Sequence, residues 1–165
     1  IVGFFAEDKM EFKGMVLRLG LRYDILASNF DNHPTDVADP VIDPSLGGEI
    51  KDPTDVPAKH YVSPRFSVAF PFTQNDKLRF TYGRYIQWPP MERLFENTNY
   101  DFSGAFPRIG NPDLDPEITT LYEVGWEHML TYNLAVSAVG YYKDISGLTD
   151  VRQLFYDPRN WYGMY

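Results

Sequence analysis

The sequence predicts an all-β fold: an antiparallel up-and-down transmembrane β-barrel, of which this chain supplies a partial wall of about six strands. Three observations predict it. Six segments alternate apolar and polar residues over ten or more positions. That is roughly twice the ~5–6 residues of an average strand, and it suits a tilted membrane crossing of about 9–11 residues. The connections alternate in length, short near 13–14, 73–76 and 131–133, long at 28–59, 89–117 and after about 147. Short turns on one side and long loops on the other are the connection pattern of transmembrane barrels. Finally, the face opposite the apolar one carries charge in strand after strand, as the wall of a wet lumen requires. A soluble β-sandwich also alternates and carries long loops. The strand lengths and the repeated charged face favour the barrel.

The first segment runs from about Val2 to Phe12. Val2, Phe4, Ala6, Met10 and Phe12 share one face, broken by Asp8, while Phe5, Glu7, Lys9 and Glu11 share the other. Lys13-Gly14 makes a tight turn. The second, from Met15 to about Ala27, is the cleanest: Met15, Leu17, Leu19, Leu21 and Tyr23 alternate with Val16, Arg18, Gly20, Arg22 and Asp24. The third runs from about His60 to Phe72, with Phe66, Val68, Phe70 and Phe72 on one face. The polar turn Thr73-Gln74-Asn75-Asp76 leads into the fourth, Lys77 to about Trp88. There Leu78, Phe80, Tyr82 and Ile86 oppose Arg79, Thr81, Gly83 and Gln87. Pro89-Pro90 ends it, because proline donates nothing to a ladder. The fifth, from about Ile118 to Leu130, sets Tyr122, Val124 and Trp126 against Glu123, Gly125 and Glu127. Thr131-Tyr132-Asn133 turns the chain into the sixth, Leu134 to about Ser146, whose faces are less distinct. Tyr23, Phe72, Trp88, Trp126 and Tyr132 fall where interfacial aromatic girdles form. Gly83 and Gly125 are expected on the lumen face.

Composition narrows the function. The net charge is -8 with no basic run, which excludes nucleic acid as a partner, since phosphate binding needs clustered Lys and Arg. The absence of cysteine removes disulfides, thiolate metal sites and Cys nucleophiles together. No stretch is long and apolar enough for a transmembrane helix, which leaves barrel strands untouched as a possibility. The three histidines, His33, His60 and His128, have no metal-ligand spacing. Ser63 lacks a nucleophile-elbow context. Glu123 and Glu127 share a strand face, where solvation of a lumen wall explains them better than paired acid/base chemistry. No catalytic site, metal site or cofactor is therefore expected, and the chain is not expected to be an enzyme. Residues 28–59 are acidic, with Asp31, Asp36, Asp39, Asp43, Glu49, Asp52 and Asp55 against Lys51 and Lys59. Calcium is the alternative to a plain solvated loop there, but the spacing is not that of an EF-hand.

Several strings, in order, carry a family resemblance: Val62-Ser63-Pro64-Arg65-Phe66-Ser67-Val68, Leu78-Arg79-Phe80-Thr81-Tyr82-Gly83-Arg84-Tyr85, Trp88-Pro89-Pro90, Leu94-Phe95-Glu96-Asn97, Gly110-Asn111-Pro112-Asp113-Leu114-Asp115-Pro116-Glu117, Tyr122-Glu123-Val124-Gly125 and Gly140-Tyr141-Tyr142-Lys143-Asp144-Ile145. Together they resemble the later barrel strands of TonB-dependent receptors, in the subgroup with an N-terminal carboxypeptidase-like regulatory domain. The resemblance implies residence in the bacterial outer membrane, surrounded by its lipid. It also implies a barrel of ~22 strands around a plug, with energy reaching it through TonB by an N-terminal region this sequence lacks. On that reading 1–165 is one part of the barrel domain, with the plug and the final strand outside it, and both ends are interior to a longer chain. The implied function is active import of a scarce nutrient, whether iron chelate, oligosaccharide or peptide. A non-transporting barrel for adhesion or surface assembly and a soluble sugar-binding β-domain are the alternatives. Ligand contacts are expected from the long loops and upper lumen, at Tyr85, Gln87, Trp88, Tyr100, Phe102, Phe106, Arg108, Trp161 and Tyr162, where aromatics beside a polar rim stack or grip a ligand. The 110–117 string is expected to be a structural lead-in to its strand, because its prolines hold the chain out of helix.

Overall fold

The structure, a computed structural model, describes residues 1–31, 33–36, 50–98, 108–157 and 160–164, with only the chain path given from 154 onward. The described elements are β1 (Val2–Phe12), β2 (Met15–Leu26), β3 (His33–Pro34), β4 (Pro53–Thr54), β5 (Lys59–Pro71), β6 (Asp76–Gln87), a short helix α1 (Met91–Phe95), β7 (Arg108–Ile109), β8 (Glu117–Thr131), β9 (Leu134–Ser146), β10 (Arg152–Asp157) and β11 (Asn160–Met164). They divide into a strand unit of Ile1–Ile25, His60–Ile86 and Ile118–Ser146, and a loop unit of Leu26–Lys59, Gln87–Glu117 and Gly147–Tyr165.

The strand unit is one sheet in the order β1-β2-β5-β6-β8-β9. The long strands therefore lie side by side in the order the chain makes them, which is up-and-down topology. The hairpin registers are antiparallel and place like faces together. Phe4 lies opposite Tyr23, Ala6 opposite Leu21 and Met10 opposite Leu17. Val68 faces Phe80 and Phe70 faces Leu78. Tyr122 faces Tyr142 and Trp126 faces Ala138. Ring contacts continue this apolar face across strands: Phe70–Phe80 centroids are 6.3 Å apart, Tyr82–Tyr122 5.2 Å and Tyr122–Tyr142 6.4 Å. On the other face Glu7 pairs with Gly20, Lys9 with Arg18 and Glu127 with Ser137.

Among the described residues the apolar face is left uncovered. Phe4, Leu21 and Tyr122 remain 61%, 53% and 50% exposed. In a sandwich a second sheet would cover such a face at about 10 Å. Here the face suits hydrocarbon, the solvent that an outward-facing barrel band meets.

Turn chemistry explains the short ends. Lys13 and Gly14 both have positive φ, 47° and 82°, the type I′ signature whose twist matches that of a hairpin. At the second turn the Thr73 hydroxyl accepts from the backbone N–H of Asn75 (3.2 Å) and Asp76 (3.0 Å). The third has Tyr132 and Asn133 between the paired Thr131 and Leu134, with the register shifting between Met129 and Thr131.

The loop unit corrects three expectations, the first being the long loop at 28–59, which holds the short antiparallel pair β3–β4. Residues 89–117 and those after about 147 are not plain loop either. The second segment holds α1 and β7. The third holds the β10–β11 hairpin, and β11 runs parallel to β7, with Gly163 opposite Arg108. A five-residue helix and a two-residue strand are too short for periodicity to reveal. The unit has its own small core: Leu94 and Ile109 are fully buried, as are Pro34, Pro112 and Pro116. Two backbone bonds hold the 110–117 string beneath α1, Gly110 N–H to Glu96 O at 2.7 Å and Asn111 N–H to Arg93 O at 2.8 Å.

Candidate functional site

The inward, charged face of the strand unit is largely neutralised within itself. The Arg22 guanidinium grips Asp24 through Nε and Nη2, at 2.8–3.0 Å, and Asp24 is 3% exposed. Gly3 lies opposite Asp24, and a Cβ there would come within 2.7 Å of both partners. A glycine is what leaves room for the pair. Arg79 donates to Glu123 at 2.7 Å, and Lys9 pairs with Glu11. Glu123 thus serves as a partner for arginine, not as half of a carboxylate dyad. The more exposed Lys9–Glu11 and Arg79–Glu123 pairs add little stability, but all three set the electrostatic texture of the wall.

Tyr85, a candidate ligand residue, is engaged on this face. The Arg65 guanidinium lies 4.8 Å from its ring centroid, a cation–π geometry. The ring folds over Gly83, which pairs with Arg65 across the strands. A Cβ on Gly83 would fall 2.6–2.7 Å from Tyr85 ring atoms. Gly83→Ala is expected to destabilise the wall by about 1–3 kcal/mol through overpacking. In the Tyr85→Ala background the same change should cost far less. A double-mutant cycle in thermal unfolding measures the difference, and additive effects would refute the packing.

At the short-turn edge, Asp76 collects three partners. Trp126 Nε1–H donates at 3.0 Å, His128 Nδ1 lies 2.7 Å away, and the Thr73 hydroxyl donates. The Trp126 and His128 rings stack at 5.7 Å, and Met129 N–H reaches Asn75 O at 2.8 Å. These bonds tie the β5–β6 turn to β8, and they give an expected girdle residue, Trp126, a partner for its indole N–H.

The loop unit is organised around a cation that sequence reading treated only as a counter-charge. Lys59 Nζ donates to the Asp113 backbone oxygen (2.6 Å) and to the carboxylates of Asp115 (2.7 Å) and Asp113 (2.9 Å). It clamps the 110–117 string to the start of β5, so that string is a structural lead-in with a lock. Among the described residues the Lys59 partners are distant acids and not those of its own loop. Asp39, Asp43 and Glu49 of that loop lie outside the described residues. Nothing in the spacing of Lys59 and Asp113 could have announced the pair.

His33 is 6% exposed and its Nδ1 has no hydrogen-bond partner. Burial pushes its pKa below the usual histidine range, with Asp113 opposing and Lys59 reinforcing the shift. The folded unit therefore holds the ring neutral, while the opened unit takes up a proton more readily. Its contribution is complete above the ordinary histidine value of about 6.5. It is lost as pH falls through that value toward the lowered one. The protection factors of backbone amides in the loop unit, with the intrinsic pH dependence of exchange removed, should fall between about pH 7.5 and pH 5. His33→Leu should flatten the response, and an unchanged response in that variant would refute the assignment.

The remaining candidates are placed as follows. Gln87 ends β6 and is exposed, and Trp88 beside it is half-buried. Arg108 is exposed on β7. Its backbone pairs with Gly163 on β11, the strand that also carries Trp161 and Tyr162. The backbones of these three are thus brought together, while the side chains of Trp161 and Tyr162 lie outside the described residues. So do Tyr100, Phe102 and Phe106 altogether.

A single antiparallel wall with an apolar outer face and an ion-paired inner face, its long strands joined in turn by short turns and long connections, defines the wall of a transmembrane β-barrel. The chain belongs to the family described as TonB dependent receptor-like, beta-barrel, which matches residues 1–160. Among solved structures it is similar to a double mutant of the hemophore receptor HasR of Serratia marcescens, solved in complex with its hemophore HasA and heme. That likeness has a TM-score of 0.61 at 17% identity, covering 99% of this chain and 28% of HasR. At that identity it speaks to the fold alone, and the chain spans under a third of the length of the receptor it matches. Comparison with curated proteins finds no match.

Proposed function

We propose that this chain is part of the barrel wall of a receptor that imports a scarce nutrient across the bacterial outer membrane, driven through TonB. The observation that carries this reading is the two-faced wall of a chain that belongs to the receptor family. Its uncovered apolar face suits lipid, and its charged face suits a wet, occupied lumen. Residues 1–165 form part of the barrel domain, and the plug and the TonB-contacting segment are supplied by the rest of the receptor. The subgroup with an N-terminal carboxypeptidase-like regulatory domain is the best fit to the ordered strings from Val62 to Ile145. The receptor binds and moves its ligand without chemical change, so it is not an enzyme.

The ligand is an iron chelate, an oligosaccharide or a peptide, taken up by the long loops and the upper lumen. Gln87, Trp88, Arg108, Trp161 and Tyr162 are its contacts from the loop unit, joined by Tyr100, Phe102 and Phe106. Heme carried by a hemophore, as in the HasR complex, is one member of the iron-chelate class.

The test is uptake by the intact receptor. Cells with and without its gene, each with and without functional TonB, are given labelled members of the three ligand classes. Receptor- and TonB-dependent accumulation of one class supports the proposal. Binding that persists unchanged without TonB, with no accumulation of any class, favours an adhesion barrel instead.

A further inference from the structure

One cation stands on the wrong face of the wall. Arg84 follows Phe80 and Tyr82 at the strand period of two. Gly83 and Tyr85, its neighbours, belong to the inward face with Arg65. Arg84 therefore points outward, among the residues assigned to lipid. Unlike Arg22 and Arg79, it has no ion pair or hydrogen bond among the described residues. An unpaired arginine in hydrocarbon is costly and generally marks a function.

Its height on the wall resolves the cost. With a rise of ~3.3 Å per residue and a tilt of about 35–45°, Arg84 stands roughly 20 Å above the Asp76 end of β6. That is near the top of an apolar band about 25 Å tall. The residues around it are of the interfacial kind. Tyr82, Tyr122 and Tyr142 form a ladder of rings across β6, β8 and β9. On β2 and β5, the Tyr23 hydroxyl meets His60 Nδ1 at 2.7 Å. Tyrosines sit where one end of the side chain is apolar and the other wet. Arg84 stands one step above this ladder, at the upper edge of the apolar band, where an arginine extends its head into the headgroup layer.

From this geometry we infer that Arg84 is a binding site for the phosphate of an outer-leaflet lipid headgroup. Its acyl chains lie along the apolar face below, over Phe80 and Tyr82. The guanidinium fork matches phosphate oxygens two at a time. The outward carboxylate of Asp144 lies on β9, opposite Thr120, and makes no pair with Arg84. The site rests on the outer-membrane reading above but is separate from ligand import.

The test uses the full-length receptor in phosphatidylcholine vesicles carrying either bisphosphorylated lipid A or its dephosphorylated form. Lipid retained on the protein is counted by native mass spectrometry. The phosphorylated form should be retained about fivefold more, as expected for one basic residue at an anionic surface. Arg84→Gln should abolish that preference and Arg84→Lys should keep part of it, with nutrient uptake unchanged in both. Inorganic phosphate should not displace the lipid. Equal retention of the two forms by the unaltered receptor overturns the site without needing a variant. A preference that survives in Arg84→Gln, or displacement by inorganic phosphate, also overturns it. A receptor that fails to enter the vesicles at all overturns the membrane reading itself.

Discussion

Arginine in place of Val124 is expected to lower the stability of the intact barrel in a bilayer by about 2–4 kcal/mol, the cost of a charge near the middle of the lipid face. Val124 is 47% exposed and lies opposite Gly140, where an added Cβ would meet nothing within 4 Å. The control is on the same hairpin. Ser137→Arg projects from the inward face beside Glu127, and it should change stability by less than ~0.5 kcal/mol, as exposed substitutions generally do. Reversible unfolding of the two variants in lipid vesicles makes the comparison. Equal costs at both positions would mean that the faces have been assigned wrongly, and with them the membrane.

The second large effect is expected at Gly110. A Cβ there would lie 2.6 Å from the Glu96 nitrogen and 2.7–2.8 Å from the Leu94 carbonyl. These are backbone atoms, and no side chain can rotate away to relieve the clash. Gly110→Ala should therefore separate the 110–117 string from α1. Both backbone bonds beneath the helix would weaken, at an overpacking cost of about 1–3 kcal/mol or more. Leu94→Ala attacks the same contact from the other side. It removes a fully buried side chain, at a cost of about 2–5 kcal/mol. In hydrogen exchange both variants should expose the amides of Gly110 and Asn111 while those of β5, β6 and β8 stay protected. Loss of protection across the sheet as well would show that the loop unit is needed to hold the strands.

The two predictions draw on different kinds of information. Val124 and Ser137 were assignable from alternation alone. The bounds of β1 and β9 coincide with those expected from the sequence, and those of the other four long strands differ by no more than one residue at either end. Such signals are local. A side chain's face follows from the parity of its position, and Lys13-Gly14 announces a two-residue turn by its own conformational preferences. Gly110 is different. Its string was legible as a lead-in to a strand, but not as the floor beneath α1, because α1 is too short to leave a period.

What the sequence by itself determined is the wall: the number of long strands, their approximate ends, which face is apolar and which is charged, and where the chain turns. Only the tertiary structure decided the pairing of residues far apart in the chain. Lys59 is locked by Asp113 and Asp115, His33 is buried without a partner for Nδ1, β11 lies parallel to β7, and Tyr85 is spent on Gly83 and Arg65. The physical reason is the range of the interactions. Strand period and turn type are set within a few residues by backbone sterics. An ion pair across more than 50 residues exists only once the chain has brought its two ends together.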